Sequence, residues 1–178
     1  MNHKKQLVLK LALTILLIPN PVSGIGGIFA NPPQSQNRSR IRVVVGVNST
    51  PLEAYSFTGG ILVSSSGAIT AEDLSITKGI DNTTPLLSLM VANGVHAPSV
   101  TLSLYTVDAN NVETLFLTIL MTNVAITAVN PTTDSTKALT SPIETVNFNY
   151  SMITYTYHIP GVPGTLEFCY DRSVGHLC

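Results

Sequence analysis

The chain has 178 residues, 44% of them hydrophobic and only 11% charged. That charged share is less than half of the roughly 25% usual in soluble domains, and polarity comes instead from 16 Ser and 21 Thr. A disordered chain and a coiled coil are both excluded by this balance, and nine basic against ten acidic residues argue against a nucleic-acid partner.

The length fits one domain plus an appendage. Residues 1–30 have the layout of a secretory signal peptide. Lys4, Lys5 and Lys10 make a basic start, Leu11–Ile18 an apolar core, Pro19 and Pro21 a break, and Ser23–Gly24 and Ala30 small-residue exits. The apolar core is too short to span a bilayer, which takes about 20 residues. Cleavage fits after Gly24 or after Ala30, with Ala30 preferred. The chain is therefore expected to be periplasmic or secreted, with no stable membrane anchor once the leader is gone. Its loss leaves six basic residues against ten acidic ones, a net charge of −4. Residues 31–40 (NPPQSQNRSR) are polar with two prolines and read as a flexible lead-in. Residues 41–178 then make a single domain.

Ile41–Val47 is β-branched, stops at the turn cluster Asn48–Pro51, and reads as a strand. Glu53–Thr58 follows as a second strand, then an extended Ile61–Val63 and a small-residue loop, Ser64–Gly67. Ala68–Lys78 alternates in part and is strand-like. The one good helix signal comes next. Thr84 is the expected cap, Pro85 the first helical position and Gly94 the closing residue. Leu86 with Met90 and Leu87 with Val91 form the apolar stripe. Such a short helix needs a larger surface to dock on. Ser99–Val107 and Glu113–Met121 make a hairpin about the turn Asp108–Asn111. Val124–Val129 reads as a separate strand, and Asn130–Pro142 as the longest loop. Glu144–Ile159 is the longest strand-like run, and its apolar parity switches near Ser151–Met152, the sign of a bulge or bend. Pro160–Gly164 is a turn, and Thr165–Arg172 is the last strand. This pattern predicts a mainly β antiparallel barrel or sandwich with one short flanking helix. Its strands alternate apolar residues with Thr, Ser or Asn, so the edges carry little charge to keep other strands away. Self-assembly follows as an expectation.

No pattern for catalysis emerges. Ser64–Ser66 lacks a GxSxG frame. His96, His158 and His176 form no metal-ligand pair. Glu72-Asp73 and the other carboxylates read as solvated strand ends, and no cofactor is implied. Cys169 and Cys178, in an exported chain, read as a disulfide closing a small loop. Free thiols are the alternative, as is a metal site with His176, for which the spacing is weak.

Two stretches carry a resemblance. One is Glu72-Asp73-Leu74-Ser75-Ile76-Thr77-Lys78 with Asp81 and Thr84-Pro85-Leu86-Leu87. The other is Glu144–Tyr150 with Ile153-Thr154-Tyr155-Thr156-Tyr157, and Val100–Tyr105 lies between them. In order and spacing the chain resembles the haemolysin-coregulated protein (Hcp) family, the inner-tube protein of type VI secretion, from about Ile41 to Arg172. The resemblance implies a small β-barrel with one helix, hexameric rings that stack into a hollow tube and carry or chaperone a secreted effector or other protein partner, and no catalytic residues. Against this ring-former stands a second expectation, a stand-alone exported binding module on the same barrel. A small secreted enzyme is the third and least supported.

Overall fold

The computed structural model describes residues 38–46, 48–63, 65, 67, 69–132 and 142–178. The leader reading of residues 1–30 and most of the lead-in lie outside the described residues. Strand β1 (Arg38–Val45) begins ahead of the expected Ile41, because β6 is long enough to pair with it back to Arg38 opposite Val107. Strand β2 (Asn48–Thr58) runs through the expected turn cluster, with Asn48 opposite Val45. The turn tightens instead at Gly46, whose N–H donates to Ser99 O at 2.8 Å. A Cβ there would lie 2.9 Å from that carbonyl, so only glycine lets the turn sit this close to β6.

The predicted run Ala68–Lys78 is two strands, β4 (Ile69–Ala71) and β5 (Leu74–Gly79). Strand β4 pairs with β3 (Ile61–Val63) in a separate hairpin. The break falls at Glu72–Asp73, which turn to other partners. Glu72 N–H donates to Gly60 O at 2.8 Å. Asp73 Oδ1 accepts from Asn149 at 2.8 Å and from Arg172 at 3.0 Å. Helix α1 (Thr84–Asn93) has Pro85 in its first turn and closes on Gly94 at φ 61°, whose N–H bonds Met90 O and Val91 O. Its cap is Thr83 rather than Thr84, whose hydroxyl is committed to Glu144. The docked residues are Leu87 and Met90, with Val91 packed beside them, while Leu86 faces outward.

Strand β6 (His96–Val107) is followed by β7 (Glu113–Thr132), of 20 residues. The expected separate strand Val124–Val129 is the second half of β7. Asn123, at φ 50°, shifts the buried parity from Ile119 and Met121 to Val124 and Ile126 without breaking the strand. Asn tolerates this left-handed conformation better than most residues. The run Glu144–Ile159 does break where its parity switches, at Tyr150–Ser151, into β8 (Ile143–Asn149) and β9 (Met152–His158). Strand β10 (Thr165–Asp171) and a short β11 (His176–Leu177) complete the chain.

The strand order is β11-β10-β9-β7-β6-β1-β2-β5-β8, and β8 returns to pair with β7. Six strands, β7-β6-β1-β2-β5-β8, therefore close into an antiparallel barrel, the form that the Hcp resemblance implies, and among the described residues one short helix flanks it. Closure leaves room for a further strand because β7 serves two neighbours besides β6. Its Ala125–Thr132 half pairs with β8, and Leu117–Thr122 pairs with β9. The chain thus leaves the barrel at Ser151 and builds a wing, β9-β10-β11, on the outside of β7. The core inside the barrel includes Val43, Leu74, Ile76, Leu102, Ile119, Met121 and Phe148.

Tyr150 marks the exit from the barrel. Its hydroxyl donates to Glu72 O at 2.7 Å, and the Arg172 guanidinium lies 4.8 Å above its ring. Burial pushes its phenol from 10.0 up to about 12, with a smaller contribution from Tyr155 and an opposing one from Arg172. The folded chain thus holds this proton more tightly than the unfolded chain. The associated stability is complete below pH 10 and is lost as the pH rises toward 12. Urea midpoints measured across this range should fall steeply for the native chain. In Tyr150→Phe they should start lower, through loss of the bond to Glu72, and fall less.

Candidate assembly surface

Residues opposite one another in paired strands share a sheet face. Across β6, β7, β9 and β10 the register builds three apolar rows. The first is Val100, Met121, Ile153 and Tyr170, the second Leu102, Ile119, Tyr155 and Phe168, and the third Leu104, Leu117, Tyr157 and Leu166. The first row is buried throughout, and its Tyr170 hydroxyl donates to Ile69 O of the β3–β4 hairpin at 3.2 Å. The second and third rows start in the core at β6 and become exposed along the wing. Tyr155 and Tyr157 are half-buried, while Phe168 keeps 40% and Leu166 46% of its surface exposed. Tyr155 and Phe168 touch each other, with ring centroids 6.2 Å apart. The core's own face therefore runs out of the barrel onto a wing that has nothing above its far end among the described residues. Further exposed apolar side chains lie on the β3–β4 hairpin, at Leu62, Val63 and Ile69, and on α1, at Leu86 and Leu89.

The opposite face of the same strands carries hydroxyls. Ser103, Thr118 and Thr156 stand in one row, and Thr101 and Thr154 flank an exposed Leu120 in the next. Among the described residues the ion pairs gather in a few clusters. Arg42 pairs with both carboxylate oxygens of Glu113, at 2.9 and 2.7 Å, and lies 5.0 Å over the Tyr105 ring. Arg40 joins the same carboxylate, and Glu53 completes the group. Burial would raise the Glu113 carboxyl, but the hydrogen bonds from Arg42 and Arg40 outweigh it and hold it below the usual value.

A second cluster lies inside the barrel wall. Lys78 and Glu144 stand opposite each other on β5 and β8, both completely buried. Lys78 Nζ reaches Gly79 O at 2.7 Å, Glu144 Oε1 at 2.8 Å and Asp81 Oδ1 at 3.0 Å. Thr84 Oγ1 donates to Glu144 Oε1 at 2.9 Å, which ties the start of α1 to the barrel. For Asp81, burial opposes ionisation, but hydrogen bonds from Thr83 and the Lys78 ammonium hold its carboxyl below the usual value. Sequence reasoning missed this cluster. Its signal was available: Lys78 shares parity with Leu74 and Ile76, and Glu144 with Val146 and Phe148.

Cys169 and Cys178 are joined in a disulfide, Cα atoms 5.5 Å apart. The histidines lie apart. His96 contacts Asn123, His158 contacts Thr118, and His176 contacts the adjacent Leu177 carbonyl. Among the described residues no group of three or more His, Cys, Asp or Glu is placed to hold a metal.

The comparisons with known proteins agree with this architecture. The family model for "Type VI secretion system effector, Hcp" matches residues 46–157, more than half of the chain. Hcp1 from Salmonella typhimurium is similar in structure, at 19% identity and a TM-score of 0.64, covering 79% of this chain and 99% of its own. A type six secretion system protein superposes with a TM-score of 0.66 at 17% identity, over 79% of this chain and 100% of its own. The secreted protein Hcp3 from Pseudomonas aeruginosa gives 0.56 at 16% identity, over 74% and 97%. No curated protein matches the sequence. The barrel closed by a forked β7, the docked helix α1 and the family match over residues 46–157 together make this chain a member of the Hcp family of type VI secretion.

Proposed function

We propose that the protein is a non-catalytic building block whose copies join into closed, hexameric rings that stack into a tube. The observation that supports this is the wing. Its apolar rows have the composition and parity of a core, yet Phe168 and Leu166 remain exposed in the single chain. Fully burying a Leu or Phe stabilises by roughly 1.5–3 kcal/mol, so a neighbour that covers this face gains from both. In a ring the wing would meet a different surface of the next copy, in a head-to-tail contact. Such head-to-tail contacts close into rings when the rotation between copies permits. Membership of the Hcp family supports the tube, and secretion follows from the same membership. Effectors would pass along the ring by contact, without bond-making.

A second reading, a stand-alone exported module, draws support from the disulfide and from the leader layout of residues 1–30. Light scattering on size-separated protein distinguishes the two. The ring predicts a mass of about six chains at micromolar concentration. A single-chain mass at high micromolar concentration, with an N-terminus after Ala30, would replace the ring by the exported module.

A further inference from the structure

Strand β11 is held by little besides its disulfide. It pairs with β10 at two positions, Tyr170 opposite Leu177 and Asp171 opposite His176. Every residue from Ser173 to Cys178 is exposed, Val174 and Leu177 included. The polar contacts of the turn before it are local. Ser173 N–H and Oγ–H both donate to Asp171 Oδ1, and Gly175, at φ 71°, donates its N–H to Asp171 O. These bonds shape the turn but do not attach it to the barrel. The Cys178 N–H reaches Cys169 O at a long 3.4 Å.

Arg172, immediately before this segment, is anchored differently. Its N–H donates to Ser151 O at 2.8 Å, its guanidinium reaches Asp73 at 3.0 Å, and it lies over the Tyr150 ring. The structure therefore has a fixed point at Arg172 and a loosely seated strap after it. The strap covers the outer edge of β10 at Cys169 and Asp171, whose carbonyls receive Cys178 and Gly175. Alternate residues of a paired strand turn their backbone groups to the same side, so Thr165 and Glu167 face the same edge. Among the described residues no strand covers them.

We propose that the Cys169–Cys178 bond is a redox latch: closed, it keeps residues 173–178 across the β10 edge, and opened by a dithiol reductant, it releases them. In the opening step the S–S bond breaks. The reductant supplies two electrons and two protons, Cys169 and Cys178 become thiols, and the reductant's two sulfurs join in its own disulfide. The uncovered edge then runs from Thr165 to Asp171 instead of ending at Glu167. The latch is closed in oxidising compartments and open in a reducing cytosol. An open edge is a surface for pairing with other strands, so the latch controls how much of it the protein presents. The latch does not depend on the ring reading, since it concerns a single chain.

Amide exchange on the purified full chain, with and without dithiothreitol, tests the proposal. Reduction should speed exchange at Asp171, His176 and Cys178, whose backbone groups face across the β10–β11 pair, by about tenfold or more, as expected for local opening. The Arg172 N–H, held by Ser151, and the core amides of Ile119 and Ile153 should keep their protection. Cys178→Ser should show the same local pattern without any reductant. If reduced protein and Cys178→Ser both retain the oxidised exchange rates at the strap, the latch is refuted. It is refuted equally if Ile119 and Ile153 accelerate along with the strap, because the bond then staples the whole sheet.

Discussion

Glu144→Ala should destabilise the barrel by about 3–5 kcal/mol, the cost typical of removing one partner from a buried ion pair. At this chain size that lowers the melting temperature by roughly 10 °C. The loss exceeds that of the few removed atoms because Lys78 stays behind. Its ammonium is fully buried and, among the described residues, keeps only Asp81 and the Gly79 carbonyl as partners. The helix start loses the Thr84 bond to Glu144 in the same change. Lys78→Met should cost a similar amount, through the stranded Glu144 carboxylate.

The double variant Lys78→Met with Glu144→Leu separates two roles for the pair. Both residues sit at core parity, opposite each other, so apolar replacements fill the same space. The double variant should be at least as stable as either single variant, and its coupling energy strongly favourable. Glu144 Oε2 accepts no hydrogen bond among the described residues, which makes the pair a poor source of net stability. The expected role of the pair is then to fix register. A slip of β8 against β5 by one residue would turn Glu144, Val146 and Phe148 to the other face and leave Lys78 buried without its partner. Equilibrium unfolding of the four proteins in urea measures the cycle. A double variant less stable than both single ones would show that the ions stabilise beyond any apolar substitute.

The second large effect is expected on assembly rather than folding. Leu166→Glu together with Phe168→Glu should convert ring-sized protein to single chains. Both side chains are exposed in the isolated chain, so the barrel should unfold within about 1 kcal/mol of the native protein, as surface changes usually do. Charge placed on the wing's apolar rows would need desolvation on docking, in every copy around the ring. Glu167→Gln, on the other face of the same strand, is the control and should assemble normally. An unchanged mass for the Leu166 and Phe168 variant would move the subunit contact to another surface, such as Leu62 and Val63 of the hairpin.

Much of this fold was legible in the residues because each strand's parity is local information. The alternation of Ile41, Val43 and Val45, the Pro85–Gly94 punctuation of the helix and the parity switch before Met152 each follow from a few neighbours in sequence. The continuity of β7 was not, since a left-handed Asn123 absorbs a parity shift that otherwise reads as the end of a strand. The break at Glu72–Asp73 was hidden because its cause lies far along the chain, at Asn149 and Arg172. The assembly surface was legible only in part. Leu166, Phe168 and Tyr170 are in phase in the sequence, but their continuity with Leu102 and Ile119 depends on strand order. Strand order also explains the misjudged charges. Lys78 and Glu144 each look like a strand-end residue until the two strands are set side by side.

The most direct measurement is electron microscopy of the purified, full-length protein. Class averages should show closed rings with a central opening and six repeats, each of one barrel. Particles of a single barrel at concentrations well above micromolar, with the wing open to solvent, would contradict a protein that works by ring assembly.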